Sequence, residues 1–277
     1  MSPRKIRRRS YAGGGAETYV LVTGSIGGVA GYHRLERLLL AHGKRVLVID
    51  PYQLSLDSAD VSFAAMARRA ERVIADRQIG DAYVVGHSWG GGVALRIAAD
   101  MPERVRALYL LDAGAMACIC SPIMSTGLRL APLIARMPGA RHVIRVKIIA
   151  GLRDNSARAE WIDDAAEHAY ADPIADHFAR VASMALRLSR AAEPETLDVV
   201  LARVRAPITV ILGGVTTDAG PSAAELTALQ RVGDQAHIER LPGVGHFPHE
   251  EAPDEVARRV LTSRPLVVAR ASGGLAR

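Results

Sequence analysis

Three features of this sequence predict an α/β fold built on a doubly wound, mostly parallel sheet. Apolar runs of strand length alternate with amphipathic helical stretches along most of the chain, the pattern of parallel strands covered by helices on both faces. One run passes straight into a helix through "GHSWGG". The alternation breaks in one place, a mainly helical segment of more than ninety residues between Asp112 and Pro207.

The strand runs are, in order, "TYVLVTG", "RVLVID", "AYVVG", "RALYLLD", "PITVILGG" and "AHIERL". Helical periodicity falls near Tyr32 to His42, Val61 to Gln78, Gly91 to Asp100, Ser222 to Val232 and Asp254 to Thr262. Right-handed crossovers wind these into one sheet. The stretch "KIRRRSYAGGGAETYVLV" has room for one further strand ahead of the core, so seven strands are expected. The chain divides into a disordered basic tail at 1–10, a core at 11–112 and 207–277, and a helical lid at 113–206 that is too long for a crossover.

With 277 residues, 49% apolar and 23% charged, the chain has the composition of an ordinary globular protein. Five of its six surplus positive charges sit at Arg4, Lys5, Arg7, Arg8 and Arg9, which leaves the remainder near neutrality. The basic character therefore belongs to the tail, and neither a nucleic-acid nor a membrane partner is expected. No apolar stretch of export-signal length follows Arg8 and Arg9, and a cytoplasmic location is expected. Cys118 and Cys120 form neither a disulfide framework nor a zinc pattern and read as buried free thiols.

The glycine-rich loop "VLVTGSIGGVAG" admits two chemistries. It could cradle a pyrophosphate, with Asp50 at the end of the next strand taking a ribose hydroxyl, as in a short-chain dehydrogenase binding NAD(P). The G-x-G-x-x-G spacing is not met, however. The Tyr-x-x-x-Lys of that family cannot be formed either, because the lysines are Lys5, Lys44 and Lys147 and none lies four residues after a tyrosine. Alternatively, the loop supplies an oxyanion amide beside a nucleophile.

The second chemistry is supported by Gly86-His87-Ser88-Trp89-Gly90, a G-x-S-x-G placed where a strand turns into a helix. The turn needs residues without bulk on either side of Ser88, and the helix N-terminus offers backbone donors to a developing anion. Serine needs a base. His246, on the loop "LPGVGHFPHEEAPDEV" after the last strand, is the candidate; His249 reads as a surface or capping group and His87 as packing. The base in turn needs a carboxylate on its other nitrogen, for which Asp218 and Asp112 compete.

From about Lys5 to Thr262 the sequence resembles the α/β-hydrolase family, in its capped, lipase-like and epoxide-hydrolase-like branch. The resemblance rests on "GHSWGG", "PGVGHFPHEEAPDEV", "RVLVID" and the cap-like "RHVIRVKIIAGL…EHAYADPIADHFARVA". It implies a Ser, Asp and His triad, no cofactor, and oxyanion amides at Ser25 and Trp89. Thr23-Gly24 stands where the family usually has His-Gly. The commoner family position for the acid favours Asp218, after the strand that follows the lid, whereas some capped relatives place it at Asp112.

Serine at the elbow argues against epoxide hydrolases and haloalkane dehalogenases, which use aspartate there. The expected activity is that of a carboxylesterase-like serine hydrolase, cleaving an ester, lactone, thioester, amide or activated carbon–carbon bond of a small apolar substrate. Alternatives are a cofactor-free haloperoxidase-like enzyme, a lyase or a ligand-binding receptor; a homodimer is left open. Trp161 and Tyr170 in the lid are expected to pack rather than touch substrate.

Overall fold

A computed structural model describes residues 17–114, 122–217 and 219–262. Six parallel strands form one sheet: β1 (Thr18–Val22), β2 (Arg45–Ile49), β3 (Ala82–His87), β4 (Val105–Leu111), β5 (Ile208–Gly213) and β6 (Ala236–Leu241). Their spatial order is β2-β1-β3-β4-β5-β6. The seventh strand expected ahead of β1 would fall largely on residues 1–16, outside the described residues, as does the tail.

The helices are α1 (His33–Ala41), α2 (Pro51–Ser55), α3 (Phe63–Asp76), α4 (Gly90–Asp100), α5 (Pro122–Ile134), α6 (Ala140–Asp154), α7 (Asp164–Asp176), α8 (Phe178–Leu188), α9 (Leu197–Arg203), α10 (Ala223–Arg231), α11 (Pro248–Glu251) and α12 (Pro253–Thr262). Short polar side chains start several of them. Asp50 accepts from the amides of Tyr52 and Gln53 at the head of α2, Ser62 caps α3, and Ser222 with Glu225 forms a reciprocal capping box on α10. Asp50, the candidate ribose acid, is thus occupied as a helix cap.

Side chains alternate across the sheet, so each strand feeds two cores. Val20, Val22, Val84, Leu108, Leu110, Val210 and Leu212 face one layer, packed by Phe63, Met66 and Ile74 of α3, Val93 and Ile97 of α4, and Val200 and Leu201 of α9. Tyr19, Leu21, Val85, Tyr109, Leu111 and Ile211 face the other, covered by Leu35 and Leu39 of α1 and Val256 and Val260 of α12. The central strands are therefore apolar almost throughout. The edge strands β2 and β6 are only half-buried, and β6 carries His237, Glu239 and Arg240.

Between β4 and β5 the chain runs through α5 to α9. There α5 lies along α8 and α6 along α7. The last of these helices, α9, returns to the main core against α4, so packing places it with the sheet although the sequence division at 206 put it with the lid. Cys118 and Cys120 lie outside the described residues. Among the described residues no helix is long and apolar enough to cross a membrane.

Candidate active site

The strand order reverses direction at β1, whose neighbours β2 and β3 follow it on opposite sides. Such a switch point opens a crevice at the carboxyl ends of the strands. The glycine-rich loop leaves β1 there and the elbow leaves β3 beside it, which puts Gly24 against Ser88: a Cβ on Gly24 would lie 3.3 Å from that of Ser88.

The elbow is as tight as its sequence demands. Ser88 has φ 52°, in the left-handed region that side chains rarely enter. A Cβ on Gly86 would come within 2.7 Å of the Ala94 methyl, and one on Gly90 would stand 2.3 Å from the Thr23 carbonyl oxygen. Either substitution would push α4 off the sheet. Gly91 and Gly92 have the same cause, since a Cβ there would meet Ala113 and the Phe63 ring.

His246 arrives on the loop between β6 and α11. Its Nε2 lies 3.1 Å from Ser88 Oγ, and its Nδ1 lies 2.6 Å from Asp112 Oδ2. A carboxylate only accepts, so the proton sits on Nδ1 and the Nε2 lone pair faces the serine hydroxyl. Asp112 is fixed in turn: its Oδ1 accepts from the Gly213 amide at 3.1 Å, and its own amide donates to the Ile211 carbonyl. Serine, imidazole and carboxylate form one hydrogen-bonded chain with the imidazole and carboxylate buried.

The carboxylate on the imidazole is that of Asp112, which the sequence ranked second. Asp218, ranked first, lies outside the described residues. The reason for Asp112 is the register of neighbouring strands. His87 pairs with Leu111 across β3 and β4, so Ser88 and Asp112 follow side by side at the ends of adjacent strands.

Two histidines lie near His246. His87 is buried, with Nε2–H donating to the His246 carbonyl at 2.9 Å; burial and the neighbouring imidazoles hold its pKa well below the ordinary value. His249, read from sequence as a surface or capping group, is buried instead, 2% exposed, with its ring 4.3 Å from that of His87. Burial lowers its pKa to about 3. Both are neutral near pH 7, so neither repels a protonated His246.

The opening glycines serve the insertion between β4 and β5. A Cβ on Gly27, at φ 87°, would sit 2.5 Å from the Tyr170 ring, and one on Gly31 would sit 2.9 Å from the Tyr170 hydroxyl. Tyr170 of α7 thus fills the space above the loop where a pyrophosphate would have to lie. Its hydroxyl reaches the Gly31 carbonyl and Glu250 Oε1. Trp161 and Tyr170 meet edge-on at 5.2 Å and pack with Phe247, next to His246. Sequence reasoning missed Glu250 and Glu251, two acids on α11 that are both buried.

A parallel sheet, a strand-to-helix elbow and a serine hydrogen-bonded through histidine to aspartate define the α/β-hydrolase class. The model of the Alpha/beta hydrolase family matches residues 19–259, and the chain belongs to that family. Over 264 residues it is 24% identical to the mouse (Mus musculus) sn-1-specific diacylglycerol lipase ABHD11, covering 85% of this chain and 77% of the lipase. Over 142 residues it is 32% identical to a Pseudomonas 2-hydroxy-6-oxononadienedioate/2-hydroxy-6-oxononatrienedioate hydrolase, a match spanning 48% of this chain and 49% of that enzyme. Among solved structures, an alpha/beta hydrolase fold protein from Burkholderia ambifaria superposes with a TM-score of 0.68 at 20% identity, covering 90% of this chain and 91% of that one. The chain spans about half the length of the Pseudomonas hydrolase that it matches.

Proposed function

We propose that this protein is a serine hydrolase that cleaves a small apolar acyl compound through an acyl-enzyme. The observation that carries the reading is the unbroken chain Ser88 Oγ, His246, Asp112. As Ser88 Oγ attacks the substrate carbonyl, its proton passes to His246 Nε2, and Asp112 stabilises the resulting imidazolium. In this reading the backbone amides of Ser25, on the loop after β1, and of Trp89, at the head of α4, supply the oxyanion donors. Collapse of the tetrahedral intermediate expels the leaving group, which takes the proton from Nε2. Water, deprotonated by the same nitrogen, then attacks the acyl-enzyme, and the acid product leaves with Ser88 regenerated.

No step in this sequence needs a cofactor. Esters, lactones and thioesters fit it directly, and an activated carbon–carbon bond next to a carbonyl fits it when the carbanion leaving group is protonated by His246. The relatives named as a diacylglycerol lipase and as a 2-hydroxy-6-oxononadienedioate/2-hydroxy-6-oxononatrienedioate hydrolase support a range that includes esters and oxo acids. A fluorophosphonate probe should label Ser88, and p-nitrophenyl esters of graded chain length should show a turnover optimum. Ser88→Ala should abolish both. Equal labelling of the Ala variant, or no turnover of any acyl substrate by the wild type, would overturn the assignment and leave a binding protein.

A further inference from the structure

The main chain carrying the catalytic histidine is held from both sides by one carboxylate. Glu251 Oε2 accepts from the amides of Gly245 at 2.9 Å, Ala157 at 2.8 Å and Arg158 at 2.9 Å. Glu251 Oε1 accepts from the Phe247 amide at 3.2 Å. The amides before and after His246 therefore converge on the same side chain as two amides from the insertion between β4 and β5. The intervening amide, that of His246 itself, donates to the Asn155 carbonyl at 2.8 Å. Three consecutive residues of the histidine loop are thus tied to residues 155–158 of the insertion.

The approach is close enough to fix the residue type at 245. A Cβ on Gly245 would stand 2.6 Å from the Asn155 carbonyl oxygen and 2.8 Å from the Ala157 amide nitrogen. The remaining main-chain polar atom of His246, its carbonyl, receives the His87 Nε2–H. With the peptide fixed on every side, the imidazole is aimed by its main chain as well as by Asp112.

We propose that Glu251 is a positioning residue for His246, and that it makes the insertion part of the frame that aims the base. Glu251 touches neither substrate nor the reacting atoms. It acts through the peptide units of Gly245 and Phe247, and the inference rests on His246 being the base. Four amide hydrogens pointing at one carboxylate also dictate what can replace it. Gln has the same shape, but its NH2 must face amide donors at one end or the other, which leaves like against like in a buried place. Asp, one methylene shorter, cannot span from α11 to Ala157 and Arg158.

The test uses the full-length protein and its Glu251→Gln, Glu251→Asp and Gly245→Ala variants. Steady-state kinetics on a p-nitrophenyl ester, the rate of fluorophosphonate labelling and the low-field proton NMR signal of the His246 Nδ1–H are measured on each. Because a loop displacement near 1 Å costs on the order of 100-fold in rate, Glu251→Gln should lose about 10- to 100-fold in kcat and in labelling rate. KM should stay within about threefold, since Glu251 bonds main-chain amides and none of the reacting groups. The Nδ1–H signal should shift or broaden, and Gly245→Ala should reproduce the pattern. A Glu251→Gln protein with kcat and labelling within twofold of wild type overturns the proposal, as does an Nδ1–H signal identical to wild type in the folded fraction. If the wild type itself neither labels nor turns over, the serine-hydrolase reading fails, and the NMR comparison still decides whether Glu251 positions His246.

Discussion

Ser88 and Asp112 both sit at positive φ, 52° and 42°, one residue beyond paired positions at the ends of β3 and β4. Each ends a strand with a reversal that turns its side chain out over the carboxyl edge of the sheet. His246 bridges the pair, 3.1 Å from the serine oxygen and 2.6 Å from the carboxylate. Residues held in the left-handed region cost of order 1–3 kcal/mol each and persist where the surrounding fold over-determines them. Here the sheet does so: Ser88 N–H donates to the Leu111 carbonyl and Asp112 N–H to that of Ile211, continuing the ladder into the site.

Asp112→Asn should therefore lower kcat by about 10⁴-fold, the scale expected when an amide replaces the carboxylate that fixes the tautomer of a triad histidine. The Asn side chain can present NH2 to Nδ1, which then loses its proton to Nε2 and turns a donor toward the serine. Asp218→Asn should leave kcat within a few-fold of wild type. Both ratios come from ester kinetics on variants whose circular dichroism matches wild type. The opposite ranking would give the acid role to Asp218.

The contact between Gly27 and Tyr170 gives a second prediction. Ala at position 27 would bring its methyl to within 2.5 Å of the ring while the backbone stays at φ 87°. The ring must move, and its hydroxyl then leaves Gly31 and Glu250. Gly27→Ala should destabilise the protein by about 1–3 kcal/mol in urea unfolding, from backbone strain and overpacking together. Because part of that cost is a clash with one side chain, Tyr170→Ala in the same protein should recover some of it. Strictly additive losses in the double-mutant cycle would show that the ring does not confine Gly27.

Local sequence carried the elements whose causes are local. The apolar strand runs and the elbow glycines are set by neighbours within a few residues, and both were legible. The carboxylate that meets His246 was not, because the choice between Asp112 and Asp218 depends on strand order, which a single chain states only indirectly. The opening glycines were ambiguous for a related reason. Their crowding comes from Tyr170, some 140 residues away, and a pyrophosphate would ask for the same absence of side chains. His249 and Glu251 illustrate the limit in another way: a histidine and a glutamate on a short polar stretch resemble surface residues until the insertion folds over them.

The pH dependence of stability should report the closure of that insertion through Glu250. Its carboxyl is buried, 5% exposed, and takes the Tyr170 hydroxyl at 2.8 Å and Arg34 Nε at 3.1 Å. Burial raises its pKa to about 7, outweighing the Tyr170 hydrogen bond and the Arg34 charge, which lower it. The folded state thus keeps a proton that the unfolded chain gives up near pH 4.5, so between these values the native state binds more protons. For an acid shifted upward the sign is that stability is greatest below pH 4.5, falls as pH rises toward 7, and stays at its lower level above. The shift corresponds to at most roughly 3 kcal/mol. Glu250→Gln removes this titration while keeping a neutral side chain of the same shape. Its stability relative to wild type, from urea unfolding at pH 5, 6, 7 and 8, should rise with pH by an amount up to that figure. Glu71, also pushed up to about 7 by burial, slopes the same way in both proteins and cancels in the difference. Parallel pH profiles for the two proteins would mean that Glu250 ionises in the folded state as freely as in the unfolded chain, and that Arg34 and water, rather than burial, set its charge.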